Sequence, residues 1–159
     1  MTTTDDLRAK VLTVSDGVIA GTRHDRSGEA VDERLAEDGW EVVERRVVPD
    51  GVATVRDALL DMAAGFNGLI VTTGGTGFGP RDLTPEGTKE ALDREAPGLA
   101  EAMRLVNPLG RLSRGVAGTI GEALVVNGPG STSGAVETLE AVLDVLPHAV
   151  RLLAGSREH

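Results

Sequence analysis

The sequence predicts a three-layer α/β/α sandwich with a mostly parallel sheet and one antiparallel edge pair. Three observations carry that reading. Short β-rich runs alternate with segments of helical spacing in the order βαβαβ over the first half of the chain. The run Gly68–Thr73 is apolar without alternation, as in a strand buried on both faces of a parallel sheet. Two short strand-like runs, 115–121 and 123–126, then flank Gly121-Glu122, a tight turn that makes them an antiparallel pair.

The elements follow in order. Val11, Leu12 and Val14 make residues 10–15 a strand, stopped by the turn chemistry of Ser15-Asp16-Gly17. Ala30, Val31 and Leu35 lie at helical spacing over 29–38, and Gly39 suits a left-handed helix end. A second strand covers 40–48 and breaks at Pro49-Asp50-Gly51. Thr54 precedes a helix whose apolar face is Val55, Ala58, Leu59 and Met62, ending at Gly65. After the central strand and a glycine-rich loop, Thr84-Pro85 offers a cap and a first-turn proline for a helix over 85–94, and Pro97–Leu105 follows as another. Val136, Leu139, Leu143 and Leu146 mark a long helix face, and Pro147 begins a short last helix.

The 159 residues contain no repeat, linker or low-complexity tract, so residues 1–159 read as a single domain with 1–8 as a flexible tail. Cysteine is absent, which removes disulfides, thiolate metal sites and cysteine nucleophiles and fits a cytoplasmic location. The apolar runs are too short to span a bilayer. A net charge of −9 argues against a nucleic-acid partner, since phosphate-backbone binding draws on clustered Lys and Arg. An anion must therefore be bound locally. Arg23, Arg26, Arg81, Arg111 and Arg114 sit in loops and read as solvated charge, although the guanidinium fork suits phosphate wherever several converge.

Ligands of open parallel sheets gather beyond the carboxyl ends of the strands, where four loops of this chain meet. Four glycines among residues 74–79 (Gly74, Gly75, Gly77 and Gly79) let backbone approach a ligand, and Thr73 and Thr76 add hydroxyls. The loop has neither a Gly-Lys-Ser/Thr ending nor Gly-x-Gly-x-x-Gly spacing, so residue chemistry alone leaves a tight turn and a phosphate cradle both open. Asp50 and Asp82 follow two strands at the same sheet edge and together could hold Mg²⁺, a cation that takes oxygen ligands and substrate phosphates. Ser15, Asp16 and Asp25 read first as turn chemistry, with a helper role in binding as the minority reading. Ser131, in the small-residue loop 127–134, fits a helix cap best. His24, His148 and His159 make no zinc-like cluster.

Taken together, Thr73-Gly74-Gly75-Thr76-Gly77-x-x-x-Arg81-Asp82-x-Thr84-Pro85-Glu86, Ser113-Arg114-Gly115-Val116-Ala117-Gly118 and Asn127-x-Pro129-Gly130-Ser131 closely resemble the MoaB/Mog family of molybdenum-cofactor biosynthesis. Ser15-Asp16, the motif beginning at Pro97-Gly98 and residues 145–149 agree with it. The resemblance implies a homo-oligomer, trimer or hexamer, that adenylylates molybdopterin with ATP and Mg²⁺. It implies that Asp50 and Asp82 are the catalytic, Mg²⁺-holding pair and that Thr73, Gly74, Gly75, Thr76 and Gly77 bind nucleotide phosphate. Ser15, Asp16, Ser113, Arg114, Gly130 and Ser131 are implied to bind molybdopterin. Gly128 and Thr132 depart from the family pattern, and the segment 106–112 is shorter than in many members. The alternatives are a non-catalytic molybdopterin carrier of the same pathway and a hydrolase of nucleotide pyrophosphates.

Overall fold

A computed structural model describes residues 6–155. Its strands are β1 (Arg8–Val14), β2 (Glu41–Val48), β3 (Gly68–Thr73), β4 (Arg94–Glu95), β5 (Ala117–Ile120) and β6 (Ala123–Gly128). They form one sheet in the order β2-β1-β3-β6-β5-β4. β2, β1, β3 and β6 run parallel, while β5 is antiparallel to both β6 and β4. The antiparallel edge is thus one strand longer than the sequence predicts. β4 takes the end of the expected 85–94 helix, and its two exposed residues carry no alternation to reveal it. Of the expected N-terminal tail, residues 1–5 lie outside the described residues, and Arg8 already belongs to β1.

The helices are α1 (Asp16–Ile19), α2 (Arg26–Glu37), α3 (Val52–Ala63), α4 (Thr84–Ala91), α5 (Pro97–Leu105), α6 (Thr132–Glu140) and α7 (Leu146–Leu153), with a 3₁₀ turn at Pro108–Leu112. Strand alternation sorts the core into two layers. Ala9, Val11, Leu69, Val71, Leu124 and Val126 face α2, α5, α6 and α7, whereas Leu12, Val14, Ile70 and Val125 face α3 and α4. Both faces of β3 are therefore covered, as its unbroken apolar run requires. Each fully buried Leu or Ile contributes roughly 1.5–3 kcal/mol, so both layers hold the sheet strongly enough to fix the loops at its edge.

Local chemistry moves several boundaries. α2 starts at Arg26 because the Asp25 side chain accepts from Gly28 N at 3.0 Å and caps it. Gly28 is required there, since a Cβ would collide with the Asp25 carboxylate and the Thr13 hydroxyl. The long helix expected through Leu146 stops at Glu140, and the short last helix expected at Pro147 starts at Leu146. Tight turns, Val142 N to Leu139 O at 3.0 Å and Val145 N to Val142 O at 3.0 Å, separate α6 from α7. Pro147 sits in the first turn of α7, where its missing N–H costs no ladder bond.

Candidate functional site

The carboxyl ends of β1, β2, β3 and β6 carry the site. Ser15 follows β1, Asp50 follows β2, the glycine loop follows β3, and Gly130-Ser131 follow β6. They enclose one cleft of about 890 Å³. Of the residues expected there, Ser15, Asp50, Thr73, Gly74, Gly75, Thr76, Gly77, Asp82, Ser113, Gly130 and Ser131 line it, and Asp16 and Arg114 do not.

The β3 loop is bare backbone by construction. Gly74 and Gly75 have φ of 98° and 69°, the left-handed region that favours glycine. A Cβ on Gly74 would strike the Val14 carbonyl, and one on Gly75 would strike the Thr84 hydroxyl. The N–H groups of Gly75, Thr76 and Gly77 have no acceptor among the described residues, and neither do those of Gly130 and Ser131. Thr76 is buried and Gly75 and Gly77 are half-buried, where N–H groups are normally paired, so this row of free donors along the cleft is an anion-binding arrangement; Gly130 and Ser131 are exposed. Ser131 stands at the N-cap of α6 but makes no side-chain cap bond, so its hydroxyl is available to the cleft, unlike the cap expected from residue chemistry. Ser15 does cap, accepting from Val18 N at 3.2 Å.

Asp50 is locked to the β1 loop by a reciprocal pair: Asp16 N donates to Asp50 Oδ2 at 3.0 Å, and Asp50 N donates to Asp16 Oδ1 at 3.0 Å. Arg81 donates from Nε and Nη2 to both Asp16 carboxylate oxygens, at 3.0 and 3.1 Å, and from Nη2 to the Asp50 carbonyl at 3.0 Å. Asp16 therefore acts behind the cleft, splinting Asp50. The Arg81 hydrogen bonds hold the Asp16 carboxyl below its usual range. Burial pushes Asp50 up, and the charges of Asp16 and Asp82 add to the push. Asp82 Oδ2 accepts from Gly79 N at 2.8 Å, which fixes its carboxylate against the same loop.

Arg114 lies outside the lining of the cleft and is engaged by the protein itself. Its guanidinium donates to the Gly77 carbonyl at 2.8 Å, to Glu86 Oε2 at 2.6 Å and to the Asp82 carbonyl, while its N–H donates to Thr76 O at 2.9 Å. It ties the glycine loop to α4 from outside the cleft. A buried hydroxyl network supports the floor: Thr13 Oγ1 donates to Asp25, Ser27 Oγ to Thr73 Oγ1 at 3.0 Å, and Asn127 Nδ2 to Thr72 and Thr88. Among these, Thr13 and Ser27 gave no sign in the sequence beyond being polar residues, one in an apolar strand and one at the start of a helix.

The raised Asp50 gives a pH signature. A carboxyl whose native pKa lies above its unfolded value lowers stability as pH rises, from the ordinary value of 3.8 through the raised one. At neutral pH its charge is therefore a cost to the fold. Asp50→Asn, which keeps an oxygen to accept from Asp16 N, should raise the thermal midpoint at pH 7, by about 2–4 °C for each kcal/mol relieved. The gain should vanish below pH 3.8, as midpoints of both proteins across pH would show.

The family model described as "Probable molybdopterin binding domain" matches residues 10–148. The chain is 37% identical over 153 residues to the molybdopterin adenylyltransferase of Helicobacter pylori strain J99, covering 92% of this chain and 87% of that one. It is 33% identical to the molybdopterin adenylyltransferase of Escherichia coli K12, covering 94% and 86%. The crystal structure of the molybdopterin biosynthesis enzyme MoaB of Thermus thermophilus superposes with a TM-score of 0.89 at 50% identity, covering 94% of this chain and 98% of that one. Since the family model and these relatives span nearly all of the sheet and the loops at its carboxyl edge, the chain belongs to the MoaB/Mog family of molybdenum-cofactor biosynthesis.

Proposed function

We propose that this protein transfers AMP from ATP to molybdopterin, using Asp50, Asp82 and the free backbone donors of the cleft. The carrying observation is the row of unpartnered N–H groups at Gly75, Thr76 and Gly77 beside two carboxylates. Donors of that kind suit phosphoryl oxygens, whose charge grows and shifts during transfer. An oxygen of the molybdopterin phosphate attacks the α-phosphorus of ATP, the bond to the β-phosphate oxygen breaks, and pyrophosphate leaves carrying that electron pair.

The residues present fit Mg²⁺. Asp50 and Asp82 are hard oxygen donors whose mutual repulsion a cation relieves, and the Thr84 hydroxyl is buried beside Gly75 with no partner among the described residues. Asp50 and Asp82 would hold the ion, which when bound neutralises phosphoryl charge. The chain's own part is positioning. The Asp16–Arg81 splint keeps Asp50 at the cleft wall, Gly79 N holds Asp82, and Gly130 and Ser131 offer donors to the second phosphate across the cleft. Pyrophosphate release from ATP, dependent on both molybdopterin and Mg²⁺, tests this reading. Tight molybdopterin binding without release would leave the carrier function instead.

The same reading includes a cytoplasmic homo-oligomer, trimer or hexamer. Its support is the exposed apolar run Leu105, Val106, Leu109 and Leu112 along α5 and the 3₁₀ turn, of which Leu109 and Leu112 also line the cleft. Light scattering should give a mass three or six times that of the chain; a monomer at micromolar concentration overturns it.

A further inference from the structure

The cleft has one unassigned charged feature. Arg23 and Arg26, from the loop between α1 and α2 and the first turn of α2, both line it. Neither side chain makes a hydrogen bond or ion pair with any described residue. In a chain of net charge −9 that is unusual, because most of its other arginines are engaged. Arg34 pairs with Glu140, Arg45 with Asp25 and Asp32, Arg46 with Glu44 and Asp61, Arg56 with Asp57 and Glu90. Arg81 and Arg114, beside the site, are held by Asp16 and Glu86. The acids near the two free arginines have other hydrogen-bond partners. Asp25 is turned inward to Thr13, Gly28 N and Arg45, and Glu29 pairs with His24 at 2.9 Å. This wall of the cleft therefore presents two uncompensated guanidinium groups.

We propose that Arg23 and Arg26 capture a phosphate group of an incoming substrate and set the cleft's preference for phosphate-rich ligands. The proposal rests on the adenylyl-transfer reading, which supplies two sources of one chemistry: the β,γ-diphosphate of ATP and the phosphate monoester of molybdopterin. Two forked cations suit the dense charge of either and draw it toward a protein that otherwise repels anions. They touch substrate before and during binding, so their effect belongs to affinity and its salt dependence.

Calorimetry at two salt concentrations tests it, with ATP, AMP, inorganic pyrophosphate and molybdopterin as probes. The proteins are the wild type, R23A/R26A, R23K/R26K, and R94A, which removes an exposed arginine far along the sheet in β4. R23A/R26A should weaken ATP and pyrophosphate, or molybdopterin, by about tenfold or more and flatten the salt dependence, with AMP nearly unaffected. Loss on ATP and pyrophosphate assigns the pair to the diphosphate, loss on molybdopterin alone to the monoester, and both support capture. R23K/R26K should recover part of the affinity, and R94A should match the wild type. Unchanged affinities for every probe, or an equal loss in R94A, overturn the proposal. A wild type that binds neither ATP nor molybdopterin instead overturns the adenylyl-transfer reading beneath it.

Discussion

Asp82→Asn should lower molybdopterin-dependent pyrophosphate release by about 10²–10³-fold, the cost typical of removing one group that stabilises charge in a transition state. The thermal midpoint should hardly move. Asp82 is partly exposed at the cleft, and its one side-chain hydrogen bond, from Gly79 N at 2.8 Å, can be kept by the asparagine oxygen. The substitution also removes a negative charge that repels Asp50. Chemistry is lost while packing and loop geometry stay. Steady-state release measured beside a melting curve separates the two, and unchanged release with an intact fold would exclude Asp82 from the reacting centre.

Arg114→Ala should do the reverse, acting first on the fold of the site. It strips partners from the Gly77 carbonyl, the Asp82 carbonyl and Glu86, whose carboxyl the Arg114 hydrogen bond holds below its usual range. Charge-assisted hydrogen bonds contribute about 1.5–3 kcal/mol, so a loss of about 2–3 kcal/mol and a midpoint lower by about 5–10 °C are expected. Turnover falls because the free donors of Gly75 to Gly77 lose their fixed position. Arg114→Lys should rescue little, since an ammonium cannot span three acceptors as the planar fork does. Hydrogen exchange should quicken across residues 76–82. A variant with a wild-type midpoint and weakened molybdopterin affinity would return Arg114 to the ligand-binding role that the family resemblance implies.

Much of the fold was legible because its signals are local. The unbroken run at Gly68–Thr73, the left-handed stops at Gly39 and Gly65 and the turn at Gly121 each act within a few residues. The errors came where distant partners decide. β4 exists because Asp93 N and Ala96 N find the carbonyls of Thr119 and Ala117, each at 2.7 Å. α2 starts early because Asp25 is anchored by Thr13 from another strand. The site followed the same rule. The glycine loop and both candidate aspartates stood out by residue type and position after strands, whereas the protein partners of Asp16 and Arg114 outside the cleft lining were not visible in the motif.

By itself the sequence determined the α/β/α architecture, the backbone-rich loop after β3 and the two carboxylates at one sheet edge, since hydrophobic period, glycine and strand ends are properties of short stretches. Only the tertiary structure decided which charges are free. Whether an arginine faces a ligand or a carboxylate depends on what lies within about 3 Å of its guanidinium, and those neighbours come from elements far apart in the chain.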